Sequence, residues 1–328
     1  MVRGISLFSG GLDSMLAVCM LREQGIAMEA VVFRSPFFDI RQARKSAGHI
    51  DVKLHVLDFT QDILGLVRCP PHGFGGAMNP CIDCHAAMIR RAGEFMHAHG
   101  YDFVSTGEVL NQRPMSQNRK SLDVVAESSG LTGYLLRPLS AQLLDPTVPE
   151  PDGRVDRSRL GSVSGRNRQA QLELVRRYGI TEFPSPAGGC LLTEKGYCRK
   201  LRDLFDHTDG LPDVADVELM KFSRQFRLPE GGRIIVGRNR TDNQALKAQA
   251  ARGRMILHTV NVPGPTAAVV GSACLTEGDI RLTAGILASY GDRGTLTEVT
   301  VRVHPASAAP YEITVAPLAR DTYAQWML

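Results

Sequence analysis

The stretch Ser9–Ser14, with the sequence Ser-Gly-Gly-Leu-Asp-Ser, most limits how this 328-residue chain can fold. An apolar run at residues 5–8 precedes it and predicts a buried strand, and residues 15–22 follow with the pattern of a helix. The two adjacent glycines allow a tight turn and a close approach to the backbone. Because a helix start offers free amides and a positive dipole end, we expect an anion site here. The Gly-Lys-Ser/Thr ending of the Walker phosphate loop is absent.

Strand and helix patterns alternate over residues 1–146. Strands are predicted at residues 5–8, 28–34, 53–58 and 103–107, with helices at 14–25, 39–47 and 80–100 between them. Repeated β-α units indicate an α/β fold with a doubly wound parallel sheet. Ligands of such sheets bind beyond the carboxyl ends of the strands. The unusual segments at 9–14, 33–38 and 105–117 all fall at predicted strand ends.

The rest of the chain predicts two further segments, which we place at residues 147–212 and 213–328. The first begins as a Pro/Gly-rich linker and becomes basic, with eleven Lys or Arg against four Asp or Glu between residues 154 and 202. It includes a basic amphipathic helix at 167–178. The second has the pattern of a small α+β module, with a helix at 217–227 followed by strands at 233–238, 255–260, 267–270 and 297–303.

Composition excludes several classes of protein. Hydrophobic residues make up 43% of the chain, which supports real cores, and the formal net charge of +4 says little about partners. Seven scattered cysteines do not resemble a disulfide scaffold and suit a reducing cytoplasm. We expect no signal peptide, no membrane partner and a cytoplasmic location. The sequence does not determine the oligomeric state, and a homodimer is among the alternatives.

Three cysteines carry the second chemical signal. Cys81 and Cys84 have C-x-x-C spacing at the predicted start of a helix, directly after Pro80. A helix N-terminus favours the thiolate form, and thiolates at this spacing can bind one metal or share a cluster. Cys190, in a loop with two prolines and two glycines before it, is the best third member.

The cysteines allow three interpretations. The first is a structural zinc held by Cys81, Cys84 and Cys190 with Cys198 or His85 as the fourth ligand. The second is a dithiol or persulfide relay without metal. The third is a [4Fe–4S] cluster on the three cysteines with one iron open for sulfide.

The first loop resembles the PP-loop of the ATP pyrophosphatase family, whose members adenylate a substrate and release pyrophosphate. The resemblance implies that Asp13 binds Mg²⁺, that the strand end near Val32 and Phe33 holds adenine by its backbone, and that Gly107 lets the nucleotide approach. It implies that Arg113, with Gln112 and Gln117, stabilises transferred charge or the tRNA backbone. The implied ATP contacts are Ser9, Gly10, Gly11, Leu12, Asp13, Ser14, Phe33 and Gly107.

A PP-loop followed by C-x-x-C and a distant cysteine is similar to the tRNA sulfurtransferases, and the blocks at 72–74, 79–85, 107–117 and 185–193 resemble a thiouridylase-like subgroup. This resemblance, over residues 1–205, implies ATP-dependent thiolation of a tRNA base. The carbonyl oxygen of the base is adenylated and then replaced by sulfur, taken from a donor that provides sulfide or a persulfide. Asp13, Arg113 and Cys190 are the implied catalytic residues.

The blocks at 238–243, 257–259 and 261–266 resemble the RNA-binding domain of the NFACT family, over roughly residues 213–310. Tyr290 is one of few aromatic candidates for stacking, so base recognition would depend on arginines. The expected RNA contacts, including those of the basic helix, are Arg168, Arg176, Arg177, Arg238 and Arg240.

Two other functions fit parts of the sequence. A PP-loop amide or C–N ligase would adenylate a carboxylate or amide and use ammonia, but this leaves the three cysteines unexplained. A non-catalytic RNA-binding protein would use ATP only structurally, which the intact Asp13 and the paired cysteines argue against.

Overall fold

A computed structural model describes residues 1–113, 116–185, 190–271 and 275–328. The chain divides into two compact units, Met1–Glu194 and Lys195–Leu328. The domain boundaries expected at residues 146 and 212 stay predictions. Within the described ranges, the strands and helices of the first unit are β1 Arg3–Leu7, α1 Leu12–Arg22, β2 Ala27–Arg34, α2 Arg41–His49, β3 Leu54–Asp58, α3 Thr60–Arg68, α4 Cys81–His99, β4 Phe103–Thr106, α5 Arg119–Ser129, β5 Leu135–Leu136 and α6 Gln169–Arg177.

The first unit is built on a parallel sheet with strand order β3-β2-β1-β4-β5 among its described residues. This confirms the predicted α/β fold. The direction in which strands are added reverses between β1 and β4. Strands β2 and β3 lie on one side of β1, and β4 and β5, which come later in the chain, lie on the other. The carboxyl ends of β1 and β4 therefore border the crevice where ligands of such sheets bind.

The residues expected to form a linker pack onto this sheet instead. Val155, Leu160 and Val163 are buried in the same core as Phe8 and Leu16. The backbone of this segment is also hydrogen-bonded to the rest of the first unit. The amide of Val163 donates to the carbonyl of Leu139 at 2.8 Å, and the amide of Gly165 donates to the carbonyl of Leu110 at 2.7 Å. Helix α6 packs against α1 in the same unit.

The second unit is built on an antiparallel sheet with strand order β11-β10-β8-β9-β7-β6 among its described residues. Its core is formed by apolar residues of the sheet and of α10, such as Phe226, Val301 and Ile286. Its elements are α7 Lys195–Asp206, α8 Val214–Leu219, β6 Arg224–Arg227, β7 Arg233–Val236, α9 Arg240–Lys247, β8 Ile256–Thr259, β9 Thr266–Val269, α10 Glu277–Tyr290, β10 Val299–His304, β11 Tyr311–Val315 and α11 Arg320–Ala324.

The helix predicted at residues 217–227 is wrong over its second half. Helix α8 ends at Leu219, and residues 224–227 form β6. The side-chain amide of the buried Gln225 donates to the carbonyls of Leu219 and Phe222, at 3.0 and 2.9 Å. These two bonds and pairing with β7 satisfy backbone groups that a longer helix would have used.

Candidate functional site

The loop between β1 and α1 requires its glycine at position 10. Gly10 has φ of +76°, and a Cβ there would stand 2.6 Å from the Cα of Ala43 in α2. The hydroxyl of Ser46, also in α2, donates to the carbonyl of Gly10 at 2.7 Å. The loop is therefore held against α2, and no other residue fits at position 10 without displacing that helix.

The two serines of the loop bond within it rather than cap the helix. The Ser14 hydroxyl donates to the carbonyl of Gly11 at 2.8 Å, and the Gly11 amide donates to the Ser9 hydroxyl at 3.3 Å. Helix α1 begins after Gly11 with no side-chain cap. The first amides of α1, at residues 12–14, thus lack the intrahelical partners that later amides have, and they can bind an anion.

Gly107 lies directly after β4 and contacts the start of α1. A Cβ at this position would be 2.5 Å from the amide nitrogen of Ser14 and 2.7 Å from the carbonyl carbon of Asp13. The absence of a side chain at residue 107 therefore lets β4 and the loop pack together. A contact between Gly107 and a nucleotide stays a prediction.

Asp13 is held by side chains from two other parts of the first unit. Its Oδ2 accepts a hydrogen bond from Nε2 of Gln112 at 3.1 Å, and its Oδ1 accepts one from Nε2 of Gln171 at 3.3 Å. The guanidinium of Arg168 lies 4.0 Å from Oδ2. The carboxylate is thus oriented by two neutral donors and faces one cation.

The end of β2 offers backbone polar groups beside this loop. Along β2, Val31 bonds toward β1, since its carbonyl accepts from the Phe8 amide at 2.8 Å, whereas Ala30 and Arg34 bond toward β3. Because the bonding direction alternates along a strand, the backbone of Phe33 points to the β1 side. The last ladder pair of β1 is Leu7 with Val31, so Phe33 lies beyond it. The ring of Phe33 is buried and packs on Phe59, at 5.2 Å between ring centroids.

Arg113 ends the described part of its loop, because residues 114 and 115 lie outside the described residues. Its carbonyl accepts from the Gln117 amide at 2.9 Å, and its side chain is exposed. Within the described part of the chain, the buried Oε1 of Gln117 has no hydrogen-bond partner. The role predicted for Arg113 stays a prediction.

The start of α4 carries the cysteine pair. The amide of the Asn79 side chain donates to the sulfur of Cys81 at 3.1 Å. Burial raises the pKa of the Cys84 thiol, and negative charge at Cys190, Cys81 and Asp83 raises it further. The three predicted cysteines are therefore near enough to interact electrostatically.

Hydrogen bonds also fix the segment that follows Cys190. The amide of Leu191 donates to the carbonyl of Phe37, just beyond β2, at 3.5 Å. The carbonyl of Leu192 accepts from the amide of Met78, in the loop before α4, at 3.2 Å. Residues 186–189, the Pro-Ala-Gly-Gly part of the predicted loop, lie outside the described residues.

No metal site is preformed among the described residues, since they contain no group of three or more His, Cys, Asp or Glu side chains arranged to hold an ion. Three thiolates would suit a soft cation, but among the described residues their side chains are not arranged as a ligand group. Of the two alternatives for a fourth ligand, Cys198 is a buried residue of α7 in the second unit. The other, His85, is engaged by a carboxylate.

Two histidine–carboxylate pairs border the cysteines. Nδ1 of His72 lies 2.6 Å from Oδ1 of Asp83, and Nδ1 of His85 lies 3.2 Å from Oε1 of Glu108. Glu108 is buried and also accepts from Nε of Arg137 at 2.9 Å. Burial raises the pKa of Glu108, but the charge of Arg137 and the contact with His85 outweigh this effect and lower the pKa to about 2. His85 is thus bound through Glu108 to the segment after β4.

The arginines of the basic helix differ in their surroundings. Arg168 faces Asp13, and Arg177 pairs with Glu23 at the end of α1, at 2.7 Å. Arg176 is exposed. In the second unit, Arg238 and Arg240 are exposed on either side of Asn239, the N-cap of α9. The ring of Tyr290 has the guanidinium of Arg224 over it, 4.2 Å from the ring centroid.

Two family models match this chain. Residues 2–142 match the model described as thiamine biosynthesis protein (ThiI). Residues 223–327 match the model described as the NFACT protein RNA binding domain. These matches describe two separate parts of the chain. The two resemblances expected from the sequence are confirmed.

Relatives match the ThiI-family part of the chain. A probable tRNA sulfurtransferase of Thermoanaerobacter sp. (strain X514) is 31% identical over 143 residues, which are 40% of this chain and 35% of that protein. The tRNA-specific 2-thiouridylase MnmA of Marinobacter nauticus is 26% identical over 161 residues, 43% of this chain and 40% of that protein. The chain thus spans about a third to two fifths of these relatives.

A crystal structure of a 4-thiouridine synthetase–RNA complex with bound ATP has a TM-score of 0.33 and 17% identity, and the match covers 55% of this chain and 52% of that one. A TM-score this low does not establish a shared fold.

Among the described residues, no helix is both long and apolar enough to cross a membrane.

Proposed function

We propose that this protein thiolates a tRNA base at the expense of ATP. The base carbonyl oxygen attacks the α-phosphorus, and pyrophosphate leaves. Sulfur then attacks the activated carbon, and AMP leaves with the former carbonyl oxygen. The proposal extends to the whole chain what the ThiI-family and NFACT-type matches indicate for its parts.

One set of contacts carries the proposal, because it joins the loop to the cysteines. Gly107 touches the backbone of Ser14, and the next residue, Glu108, contacts His85 directly after Cys84. The segment after Cys190 bonds to residues just past β2. These contacts support a site in which the loop at residues 9–14 and the three cysteines act together, as a two-step transfer requires.

For the first step, the amides at residues 10–13 with the hydroxyls of Ser9 and Ser14 would hold the phosphates. The Asp13 carboxylate suits Mg²⁺, which prefers oxygen ligands and would draw charge from the departing pyrophosphate. The backbone at Phe33, which points past the end of β1, would bind adenine. Arg113 would stabilise charge at the transferred phosphorus or contact the tRNA backbone.

For the second step, Cys190 would carry sulfur as a persulfide whose outer sulfur bonds to the activated carbon. The thiol of Cys81 or Cys84 would then break the S–S bond by forming a disulfide with Cys190, and an external thiol reductant would reduce that disulfide. Alternatively, Cys81, Cys84 and Cys190 together would hold a [4Fe–4S] cluster, which would supply sulfide. Asn79 would stabilise negative charge on the Cys81 sulfur through its hydrogen bond. Arg176, Arg238 and Arg240 are exposed and would contact tRNA phosphates. We expect the reaction in the cytoplasm, where thiols stay reduced.

The test is mass spectrometry of tRNA nucleosides from a deletion strain. We expect one thionucleoside to disappear and to return with the wild-type gene or with Cys69→Ser, a change at an exposed cysteine outside the site. Asp13→Asn and Cys190→Ser should both fail to restore it. A deletion strain with a complete set of thionucleosides would contradict the proposal. Iron and labile sulfide in anaerobically purified protein distinguish the cluster from the persulfide.

A further inference from the structure

Gln171 is a buried residue of α6 that reaches the ATP loop. Its side chain is fully buried, at 0% exposure, and its Nε2 donates to Oδ1 of Asp13 at 3.3 Å. Gln112 donates to the other carboxylate oxygen. Asp13 therefore receives one amide donor on each oxygen, from residues that lie 158 and 99 positions away in sequence.

The oxygen of the Gln171 side-chain amide is buried as well. Within the described part of the chain, its Oε1 is buried without a hydrogen bond. Buried polar atoms are nearly always paired, so an unpaired one needs a reason. Turning the amide over would place Oε1 against the negative charge of Asp13. The carboxylate thus determines which way the amide points.

The helix that carries Gln171 is fixed to α1 at both ends. Val175 is buried in the core of the first unit, and Arg177 pairs with Glu23 at 2.7 Å, just beyond the last residue of α1. Gln171 contacts Asp13 in the first turn of α1. The two helices therefore run side by side in the same direction, and α6 acts as a rigid support for the loop.

A neutral amide orients a carboxylate without cancelling its charge. A lysine or arginine at the same place would compete with a divalent cation for Asp13, whereas an amide bond leaves the negative charge and further lone pairs available. Arg168 is the cation that faces Asp13, and its guanidinium nitrogen lies 4.0 Å from Oδ2.

We propose that Gln171 is a positioning residue that holds the Asp13 carboxylate in the orientation needed for the divalent cation of ATP. This inference rests on the proposed function, because it assumes that the loop binds ATP with Mg²⁺. It assigns part of α6, predicted from its charge as an RNA contact, to the nucleotide site.

The test is calorimetric binding of α,β-methylene-ATP to the full chain, with excess Mg²⁺ and separately with EDTA. Gln171→Met keeps the side-chain length and removes the donor, and Gln171→Leu removes the donor with a shorter apolar side chain. Both should weaken binding about tenfold or more in Mg²⁺, as expected for a hydrogen bond to a charged group, and less than about twofold in EDTA. The matched control is Gln169→Met, at an exposed position of the same helix, which should change neither value.

A double substitution separates positioning from general support of the fold. In protein that already carries Asp13→Asn, Gln171→Met should cause no further loss of Mg²⁺-dependent binding. Equal weakening in Mg²⁺ and EDTA, or no weakening in either, would overturn the inference while leaving the proposed function in place. Wild-type protein that fails to bind the nucleotide in Mg²⁺ would overturn both. If Gln171→Met does not fold, as judged by thermal unfolding, Gln171→Leu decides.

Discussion

Gly107 at the end of β4 and Ser14 at the start of α1 are in backbone contact, and a single methyl group on Gly107 would stand 2.5 Å from the Ser14 amide nitrogen. The amide is one of those that α1 leaves free for an anion. The shape of the loop at residues 9–14 thus depends on a glycine that lies far from it in sequence and next to it in the structure.

Gly107→Ala should therefore damage nucleotide binding. The methyl group must displace backbone rather than a flexible side chain, so we expect a loss of stability of about 1–3 kcal/mol and a large loss of ATP affinity. Denaturant unfolding and calorimetry measure the two effects. Gly65→Ala in α3 is the control, since a Cβ there meets nothing within 4 Å, and we expect it to be neutral or stabilising by about 0.5–1 kcal/mol. Normal ATP affinity in Gly107→Ala would contradict the account of the loop.

Glu108→Gln should destabilise the first unit, because it removes the charge that Arg137 and His85 face. Truncating one partner of a buried ion pair costs about 3–5 kcal/mol. Denaturant unfolding at pH 7 measures the loss. Equal stability of Glu108→Gln and wild type at pH 7 would show that the pair contributes nothing.

The same ion pair predicts a pH dependence. The pKa of Glu108 is lowered from 4.5 to about 2 in the folded protein, so its stabilisation is present above its unfolded pKa. It is lost as pH falls from about 4.5 toward 2, and linkage limits the effect to the order of 3 kcal/mol. The difference in unfolding free energy between wild type and Glu108→Gln should therefore shrink across that range. A difference that stays constant would mean that Glu108 does not titrate in this way.

Substitutions of Arg168 and Arg176 should affect different ligands, ATP and tRNA, although both residues belong to the basic helix. Arg168→Ala, facing Asp13 at 4.0 Å, should weaken ATP binding several-fold and leave tRNA affinity nearly unchanged. Arg176→Ala, at an exposed position, should do the reverse. Calorimetry with nucleotide and filter binding with tRNA measure both. Identical effects of the two substitutions would contradict the assignment of the helix start to the nucleotide site.

Arg238→Ala and Arg240→Ala should each weaken tRNA binding and make it less sensitive to salt. Loss of one phosphate contact lowers the slope of log affinity against log salt by about 1. Affinity is measured between about 50 and 200 mM salt. Arg281→Ala is the control, because Arg281 pairs with Glu277 on its own helix. An unchanged slope in both test variants would exclude these two arginines from the RNA surface.

Local patterns were enough to predict the α/β fold and the strand–loop–helix arrangement around residues 9–14. Strands β1, β2, β3 and β4 fall within two residues of their predicted positions, because alternating apolar runs and a glycine pair act over a few neighbouring residues. The C-x-x-C pair at the start of α4 could be placed in the same way. The catalytic and RNA-binding roles of individual residues stay predictions.

Local sequence patterns failed to predict the structure where residues distant in sequence determine a segment's hydrogen bonds or burial. Residues 224–227 join a sheet because Gln225 and the neighbouring β7 satisfy their polar groups. The segment that begins at residue 147 has the pattern of a linker because prolines and glycines break its periodicity, yet Val155 and Val163 fill a core with many members from much earlier in the chain. No window of neighbouring residues contains that information.

The sequence by itself determined the positions of strands β1 to β4, the loop at residues 9–14 and the C-x-x-C pair, since each depends on residue types at short spacing. Only the tertiary structure decided that Gly107 packs on Ser14, that His85 is bound to Glu108, and that Gln171 reaches Asp13. The physical reason is that hydrogen bonds and close contacts between residues far apart in the chain exist only after the sheet has brought their elements together. The loop at residues 9–14 is thus local in sequence, and the side chains that hold it in shape are not.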